Sequence, residues 1–539
     1  MRVKRIDVFK LTKKYLSKLK FATVLVTAAS ITRAPLEMLS PYLFGTMIDR
    51  FMVDYTFNGF TYIAGGLILV YVLRFIADLL NVWGSNKLYN SFTYNLRRDI
   101  WRKIYGMPYE EYENCETSDL KMRMAEDVDN LGNFLKDQII EYIYNFVMVV
   151  FSFVLMITIN PIMTAICICV VPAIFFINKI IGCGIRRINE EIRQVEGEYR
   201  EFEYDSIQMW RDVKTLNMQE NVSGQFRGYR EKLAHLGLKN IRFWAFSEVF
   251  NDFKSNYLTK VVIYIVGAFF VINGSISLGL LIMFTEYFSM FFSNVDSINN
   301  KNMVFKTTLP FYERITETLG YRTEDTDRYY NADSTSMLTI DNLSFGYDDS
   351  KEIIRDLSMD IGRNEHVALT GRSGIGKTTL IKLILGLYKP TKGSIRIAVK
   401  REDIGAIMQD SVLFNMSIRE NLVMAKENAD IAELESACEK AYILDFVRSL
   451  PDGFDTVIGE RGIKLSGGQK QRLIIARTML RDPMLYIFDE ATSSLDVQSE
   501  RCINDTIRNL YHTSAVVYIT HRPDSLEYAD KIFDLEGGM

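Results

Sequence analysis

The 539-residue chain has only 4 histidines and 6 cysteines. The cysteines stand at 115, 167, 169, 183, 438 and 502, in no metal-ligand or disulfide spacing, and Cys167 and Cys169 sit inside an apolar run as packing residues would. No disulfide framework is implied. An excess of positive charge is also lacking: the formal net charge is −4, so nucleic acid is not an expected partner. The basic start has no short apolar core followed by a small-residue cleavage site, so no cleavable signal peptide is expected. What the chain has in quantity is apolar residues, 48% of the total. Its mean hydropathy of +0.01 averages a very apolar first part with an ordinary soluble second part.

Six stretches of the first part, 21–49, 60–83, 138–160, 161–182, 243–273 and 277–298, are long enough as helices to cross a bilayer. Ile159-Asn160-Pro161 and Asn273-Gly274-Ser275 turn consecutive spans into hairpins. Residues 51–59, 158–162 and 272–278 contain no Lys or Arg, whereas residues 1–20 and the connection after the second span are rich in both. By the positive-inside rule both termini and both long connections are expected in the cytoplasm of a multi-pass cell-membrane protein. Val8, Phe9, Leu11, Tyr15, Leu16 and Leu19 alternate with lysines, as in an amphipathic helix lying on an anionic membrane face; a solvated tail fits the same pattern. Charges within the spans, Arg33, Glu37, Arg74, Asp78, Glu248, Asp252 and Glu286, are expected to face the bundle interior or water. Arg74 and Asp78, four apart, read as an intrahelical pair. Glu286 lies among Phe284, Tyr287, Phe288, Met290, Phe291 and Phe292, either as a carboxylate in an aromatic cargo wall or beside rings that merely pack.

The second part carries the chemistry. Gly371-Arg372-Ser373-Gly374-Ile375-Gly376-Lys377-Thr378 follows the apolar run His366–Thr370, and Thr379 opens the continuing helical stretch, so the loop has the strand–loop–helix setting of a phosphate-binding loop. Glycines let successive N–H groups point at the phosphates of ATP, and the helix N-terminus adds partial positive charge. Lys377 is expected to bridge the outer phosphates and Thr378 to offer its hydroxyl to Mg²⁺. Met484–Phe488, a buried-strand pattern, delivers Asp489 and Glu490 to its carboxyl end, where Asp489 can hold Mg²⁺ and Glu490 can polarise the attacking water. Ala515–Ile519 is a third such strand, ending at Thr520-His521. Ser466 and Gln469 have the spacing of a capping box, and a helix opening Ser-Gly-Gly presents bare N–H groups to an anion.

With Leu465-Ser466-Gly467-Gly468-Gln469 added to the phosphate loop, the chain resembles the ATP-binding cassette (ABC) transporters over essentially its whole length. Six spans and one C-terminal cassette resemble a half-size exporter, the group that handles drugs, lipids and peptides. The resemblance implies that Tyr347 stacks on adenine and that Gln409 links Mg²⁺ and water to the membrane domain. It makes Ser494-Leu495-Asp496 a loop crossing a dimer interface and His521 the switch histidine. It also implies that Ser466 to Gln469 grip the γ-phosphate on a partner chain, so that ATP is buried between two cassettes. Short transverse helices touching the cassettes would fall at Pro108–Tyr112 and Ile207–Arg211. Against the family pattern, the cassette is short between Ile395 and Gln409 and stops soon after Gly538, which puts C-terminal support of the closed dimer in question.

The expected architecture is therefore a multidomain membrane protein: an all-α six-helix transmembrane domain over 1–322, a linker over 323–336, and an α/β P-loop ATPase domain with a helical subdomain over 337–539. The expected activity is ATP-driven export of a small molecule, lipid or peptide, with ATP and Mg²⁺ as cofactors and a second copy or a related half-transporter as partner. An ATP-gated regulator or channel subunit, or an importer on the same fold, are the alternatives.

Overall fold

A computed structural model describes residues 15, 20–54, 57–253, 257, 259–324, 329–331, 334–347, 352–372, 374–409, 411–459, 462, 464–489, 505–506, 508, 510, 514–520, 526–527 and 529–536. The chain divides into two units, Met1–Trp101 with Ser118–Gly320, and Arg102–Thr117 with Tyr321–Met539.

The first unit is helical. Helix α1 (Lys20–Asp54) contains the first expected span and α2 (Phe57–Tyr105) the second. After α3 (Tyr109–Glu113), which belongs to the second unit, α4 (Thr117–Ile159) carries two π-turns, at Arg123–Asp127 and Phe134–Ile139. Then follow α5 (Pro161–Gln208), the short α6 (Trp210–Thr215), α7 (Gln219–Asp252), α8 (Thr259–Ile272) and α9 (Leu278–Leu319). The hairpin after α4 is built from local chemistry. Asn160 is extended, its side chain accepts from Met163 N, and Pro161 fills the first helical position, where a missing N–H costs nothing. At the next hairpin Gly274 takes φ 67°, and Ser277 caps α9 by accepting from Leu280 N at 3.1 Å.

Among the described residues helix runs through every expected span; in the fifth, 243–273, residues 254–256 and 258 lie outside the described residues. Among the described residues three helices are long and apolar enough to cross a membrane, Thr61–Tyr105, Thr117–Ile159 and Leu278–Asn299. Helix α1 is diluted by Arg33 and Glu37 and carries Pro35 and Pro41 within its length. It packs against α9 so closely that a Cβ built on Gly279 would run into the Gly45 carbonyl. At the same place Asp49 accepts from Ser277 Oγ at 2.6 Å and from Gly279 N at 2.8 Å.

Of the two readings of the aromatic residues around Glu286, the structure bears out packing. Phe284, Tyr287, Phe288 and Phe292 are buried in the core with Met148, Met156 and Leu281, while Glu286 is exposed on the other face of α9. Residues three and four apart share a helix face, and Glu286 stands two from Phe284 and Phe288, so these rings pack and form no wall around the carboxylate. Tyr15, the described residue of the proposed lipid-facing segment that has a side-chain environment, is 1% exposed. It donates to Asp99 Oδ2 at 3.0 Å and meets Phe92 edge-on, so protein rather than lipid covers it. Beyond the spans, Asp127 is wholly buried and accepts from both Arg314 Nε (2.7 Å) and Nη2 (2.6 Å). Arg123 beside it pairs with Asp119 at 2.7 Å and Glu317 at 2.9 Å.

The second unit has two sheets. An antiparallel sheet, order β2-β1-β4, joins β1 (Leu338–Phe345), β2 (Ile354–Ile361) and β4 (Lys392–Ile397). A parallel sheet, order β5-β6-β7-β3-β8, joins β3 (His366–Thr370), β5 (Ile404–Ile407), β6 (Leu485–Phe488), β7 (Ala515–Ile519) and β8 (Lys531–Asp534). β6 and β7 are buried at every position, as continuous apolar runs require when both faces of a sheet are covered. Helix α10 (Lys377–Ile384) packs with the antiparallel sheet over one face. Against the other face lie α11 (Ile418–Val423), α12 (Ile431–Lys440), α13 (Leu444–Ser449) and α14 (Gly467–Met479), whose apolar sides meet Tyr486, Phe488 and Tyr518. Burial in this cluster pushes the Cys438 thiol, with Glu435 adding to the effect, up to about 12, so it behaves as an inert packing residue.

Candidate functional site

The phosphate loop sits where an open parallel sheet places its ligands, beyond the carboxyl end of the interior strand β3. Gly371, Gly374 and Gly376 take φ of 134°, 83° and 112°, which L side chains rarely adopt. At Gly376 a Cβ would also stand 2.9 Å from Ile353 Cγ2. These angles turn the chain into α10, whose first residue, Lys377, is 5% exposed. Its ammonium donates to the carbonyls of Gly371 (2.8 Å) and Arg372 (2.9 Å), arched over its own loop. Arg372 N donates to Glu536 Oε1 at 2.7 Å, which anchors the loop to the segment after β8.

One residue on, Thr378 Oγ1 lies 3.3 Å from Asp489 Oδ1, which β6 delivers in a wholly buried position. This donor set is all oxygen, a hydroxyl and one carboxylate, and no group of three or more His, Cys, Asp or Glu forms a metal cluster among the described residues. It suits a hard cation such as Mg²⁺, which takes one or two carboxylates and completes its octahedron with water and phosphate oxygens. Gln409, exposed after β5, lines the same cavity of about 1040 Å³ as Thr378 and Asp489.

Tyr347 is 47% exposed, and its hydroxyl lies 3.1 Å from Thr379 Oγ1. Its ring stands edge-on to Tyr388 at 5.2 Å, leaving an aromatic surface beside α10. The sequence offered no sign of what supports it. Tyr388 donates to Glu113 of α3 and meets Tyr109 at 5.6 Å, while Lys382 lies 3.2 Å from Glu113 and 5.1 Å from the Tyr109 ring centre. Burial opposes the Lys382 charge, but the Glu113 hydrogen bond, with Tyr347, Tyr109 and Glu113 nearby, outweighs it and raises the pKa. The expected transverse helix is thus present as α3 and is seated on cassette residues of its own unit, although no sequence spacing reveals that Glu113, Lys382 and Tyr388 converge.

The signature segment forms the expected capping box. Ser466 Oγ accepts from Gln469 N at 3.3 Å and Gln469 Oε1 accepts from Ser466 N at 2.9 Å. Ser466 and Gly467 are exposed, and a Cβ added at Gly467 would meet nothing within 4 Å. Gly468 is buried in the first turn. Ser373, Glu490, Ser494, Leu495, Asp496 and His521 lie outside the described residues, so the structure brings together Gly371, Arg372, Gly374, Ile375, Gly376, Lys377, Thr378, Thr379, Tyr347 and Asp489, with Gln409 on the same cavity.

Residues 23–295 match the family model of the ABC transporter transmembrane region, and residues 354–493 match that of the ABC transporter. An ABC transporter ATP-binding protein of Bacillus subtilis, YfiC, is 27% identical over 97% of this chain and 89% of its own length. A putative multidrug export ATP-binding/permease protein of the same organism, YgaD, is 28% identical over 96% and 92%. A bacterial Atm1-family ABC exporter, solved with ATP bound, superposes with a TM-score of 0.80 at 22% identity, covering 96% of this chain and 94% of that one. The chain therefore belongs to the ABC transporters, as a half-size exporter-type membrane protein whose ATPase cassette is coupled to transport.

Proposed function

We propose that two copies of this chain export an amphiphilic cargo from the cytoplasm, closing two ATP molecules between their cassettes and reopening on hydrolysis. The observation that carries the two-chain reading is Gly467. Its φ is not in the left-handed region and an added Cβ would meet nothing within 4 Å, so among the described residues nothing requires glycine there. Glycine costs helix stability at that position, and close approach by an outside group accounts for it. That group is the γ-phosphate held by the partner's loop, met by the N-terminus of α14 at exposed Ser466 and Gly467. Exposed Trp210 and Leu216 around α6 support the same reading, as apolar side chains suited to a partner surface.

Within each site Tyr347 stacks on adenine and the glycine loop lays its N–H groups along the phosphates. Lys377 leaves its loop carbonyls for the outer phosphate oxygens, exchanging two hydrogen bonds for charge-assisted ones. Thr378, Asp489 and Gln409 would hold Mg²⁺, which supplies neutralisation of charge building on the bridging oxygen. Glu490, following buried Asp489, orients the attacking water, and His521 reads the γ-phosphate from the end of β7. The termini and cassette lie on the cytoplasmic side, where the lysine- and arginine-rich connections place them. Replacing Glu490 by Gln is expected to lower ATP turnover at least a hundredfold while a fluorescent ATP analogue still binds. Unchanged hydrolysis would remove Glu490 from this role, and failure of inside-out vesicles to accumulate any amphiphile with ATP would remove export.

A further inference from the structure

Within the spans, four charged side chains close into a ring of alternating sign. Arg33 lies 3.7 Å from Glu37 and 3.1 Å from Asp78, and Arg74 lies 3.3 Å from Glu37 and 3.9 Å from Asp78. Two edges, Arg33–Glu37 and Arg74–Asp78, join residues four apart on one helix, and the other two cross between α1 and α2. Tyr144 of α4 donates to Glu37, and the Arg33 guanidinium sits 4.6 Å over the Tyr144 ring, so three helices meet at the ring. It lies deep. Glu37 is 17 residues from the end of α1, Arg74 17 from the start of α2, and Tyr144 15 from the end of α4, about 22 to 26 Å along each axis. Yet the side chains are not sealed: Glu37 is 17% exposed, Arg33 26%, Arg74 30% and Asp78 39%. Pro41, which has no N–H, also denies the Glu37 carbonyl its helical partner and leaves a further acceptor at this depth.

We propose that this ring is the cargo's polar contact and that it selects zwitterionic head groups. Charges at this depth are costly unless each has a partner, so a ligand can enter only by exchange. A ligand with one positive and one negative group inserts between Arg74 and Asp78, its anion taking the guanidinium and its cation the carboxylate, and every charge stays paired. A cation alone would leave the neutral ring with a net positive charge at this depth, and an anion alone would leave it with a net negative one. A zwitterionic lipid and a short apolar peptide with free termini share this chemistry. The inference rests on the export reading in treating the ligand as cargo.

The test uses the full-length protein in uncharged maltoside micelles with three probes of equal tail length, dodecylphosphocholine, dodecyltrimethylammonium and dodecyl phosphate. Equilibrium dialysis without nucleotide is expected to show dodecylphosphocholine half-saturating at a concentration at least tenfold below either singly charged probe. The double variant Arg74→Gln/Asp78→Asn, net charge unchanged, is expected to lose this preference, and Arg74→Lys to keep it. Half-saturation of the unaltered protein within twofold for all three probes would overturn the proposal, as would a preference that survives in the double variant. Displacement of dodecylphosphocholine by phosphatidylethanolamine assigns the site to lipid, and displacement by an apolar octapeptide but not its acetylated, amidated form assigns it to peptide; displacement by neither overturns it. Selective binding without ATP-driven vesicle uptake would sink export and leave the ring, whereas uptake without selective binding would do the opposite.

Discussion

At the scale of single residues, glycine geometry and buried charge decide most. Gly376 combines φ 112° with a side-chain position 2.9 Å from Ile353 Cγ2, so Gly376→Ala carries both backbone strain and a steric clash. A cost of about 1 to 3 kcal/mol is expected, read as a lower midpoint on heating, together with loss of fluorescent ATP-analogue binding. Asp127 is the strongest case outside the cassette, being wholly buried with two hydrogen bonds from Arg314. Asp127→Ala is expected to cost about 3 kcal/mol, the lower end for a broken buried pair because Arg314 retains some exposure; thermal unfolding of the solubilised protein checks it. The sequence announced Gly376, since three glycines at fixed spacing before Lys377 have few other uses. It did not announce Asp127, because its partner is 187 positions away and neither residue belongs to a motif.

At the scale of elements, apolar runs spoke clearly and interruptions did not. His366–Thr370 and Ala515–Ile519 became strands over the expected residues, because a parallel sheet covered on both faces demands unbroken apolar stretches. The two π-turns of α4, at Arg123–Asp127 and Phe134–Ile139, leave no mark in the apolar periodicity of that stretch. The same holds for α3. A five-residue helix has no stability of its own, so its seat on Lys382 and Tyr388 through Glu113 is what holds it. Glu113→Ala removes both partners and is expected to lower the ratio of cargo-stimulated to basal ATP hydrolysis at least fivefold. Because Lys382 has a raised pKa, the folded pair holds below the ordinary lysine value and is lost only as pH climbs through the raised one. The defect should therefore be equally large at pH 6.5 and pH 8, which paired ATPase assays would check.

At the scale of the whole molecule, the proposed two-chain site makes a prediction no monomer can satisfy. Lys377→Ala and Ser466→Ala chains are each expected to be nearly inactive alone, since every site in either homodimer carries a defect. Co-expressed, a mixed dimer has one site with both defects and one with neither. Hydrolysis by the doubly tagged, purified mixture should recover to roughly half of the unaltered protein per dimer, on the reasoning that lesions confined to one site leave the other whole. Recovery of none would place Lys377 and Ser466 in the same site of one chain. Composition revealed the division between membrane and cassette, but the cover on the lipid-depth charges, like the contact of Gly45 with Gly279, became visible only with three-dimensional packing. That last contact has a mechanical meaning. Helices α1 and α9 touch backbone to backbone there, with Asp49 clasping the start of α9, while α1 is tied to α2 and α4 a half-span away through Glu37 and Arg33. Tyr287 also donates to the Met38 carbonyl at 2.9 Å, about two turns from Gly45, so α1 and α9 are joined along a seam and any swing of α1 at the charged level carries α9 with it.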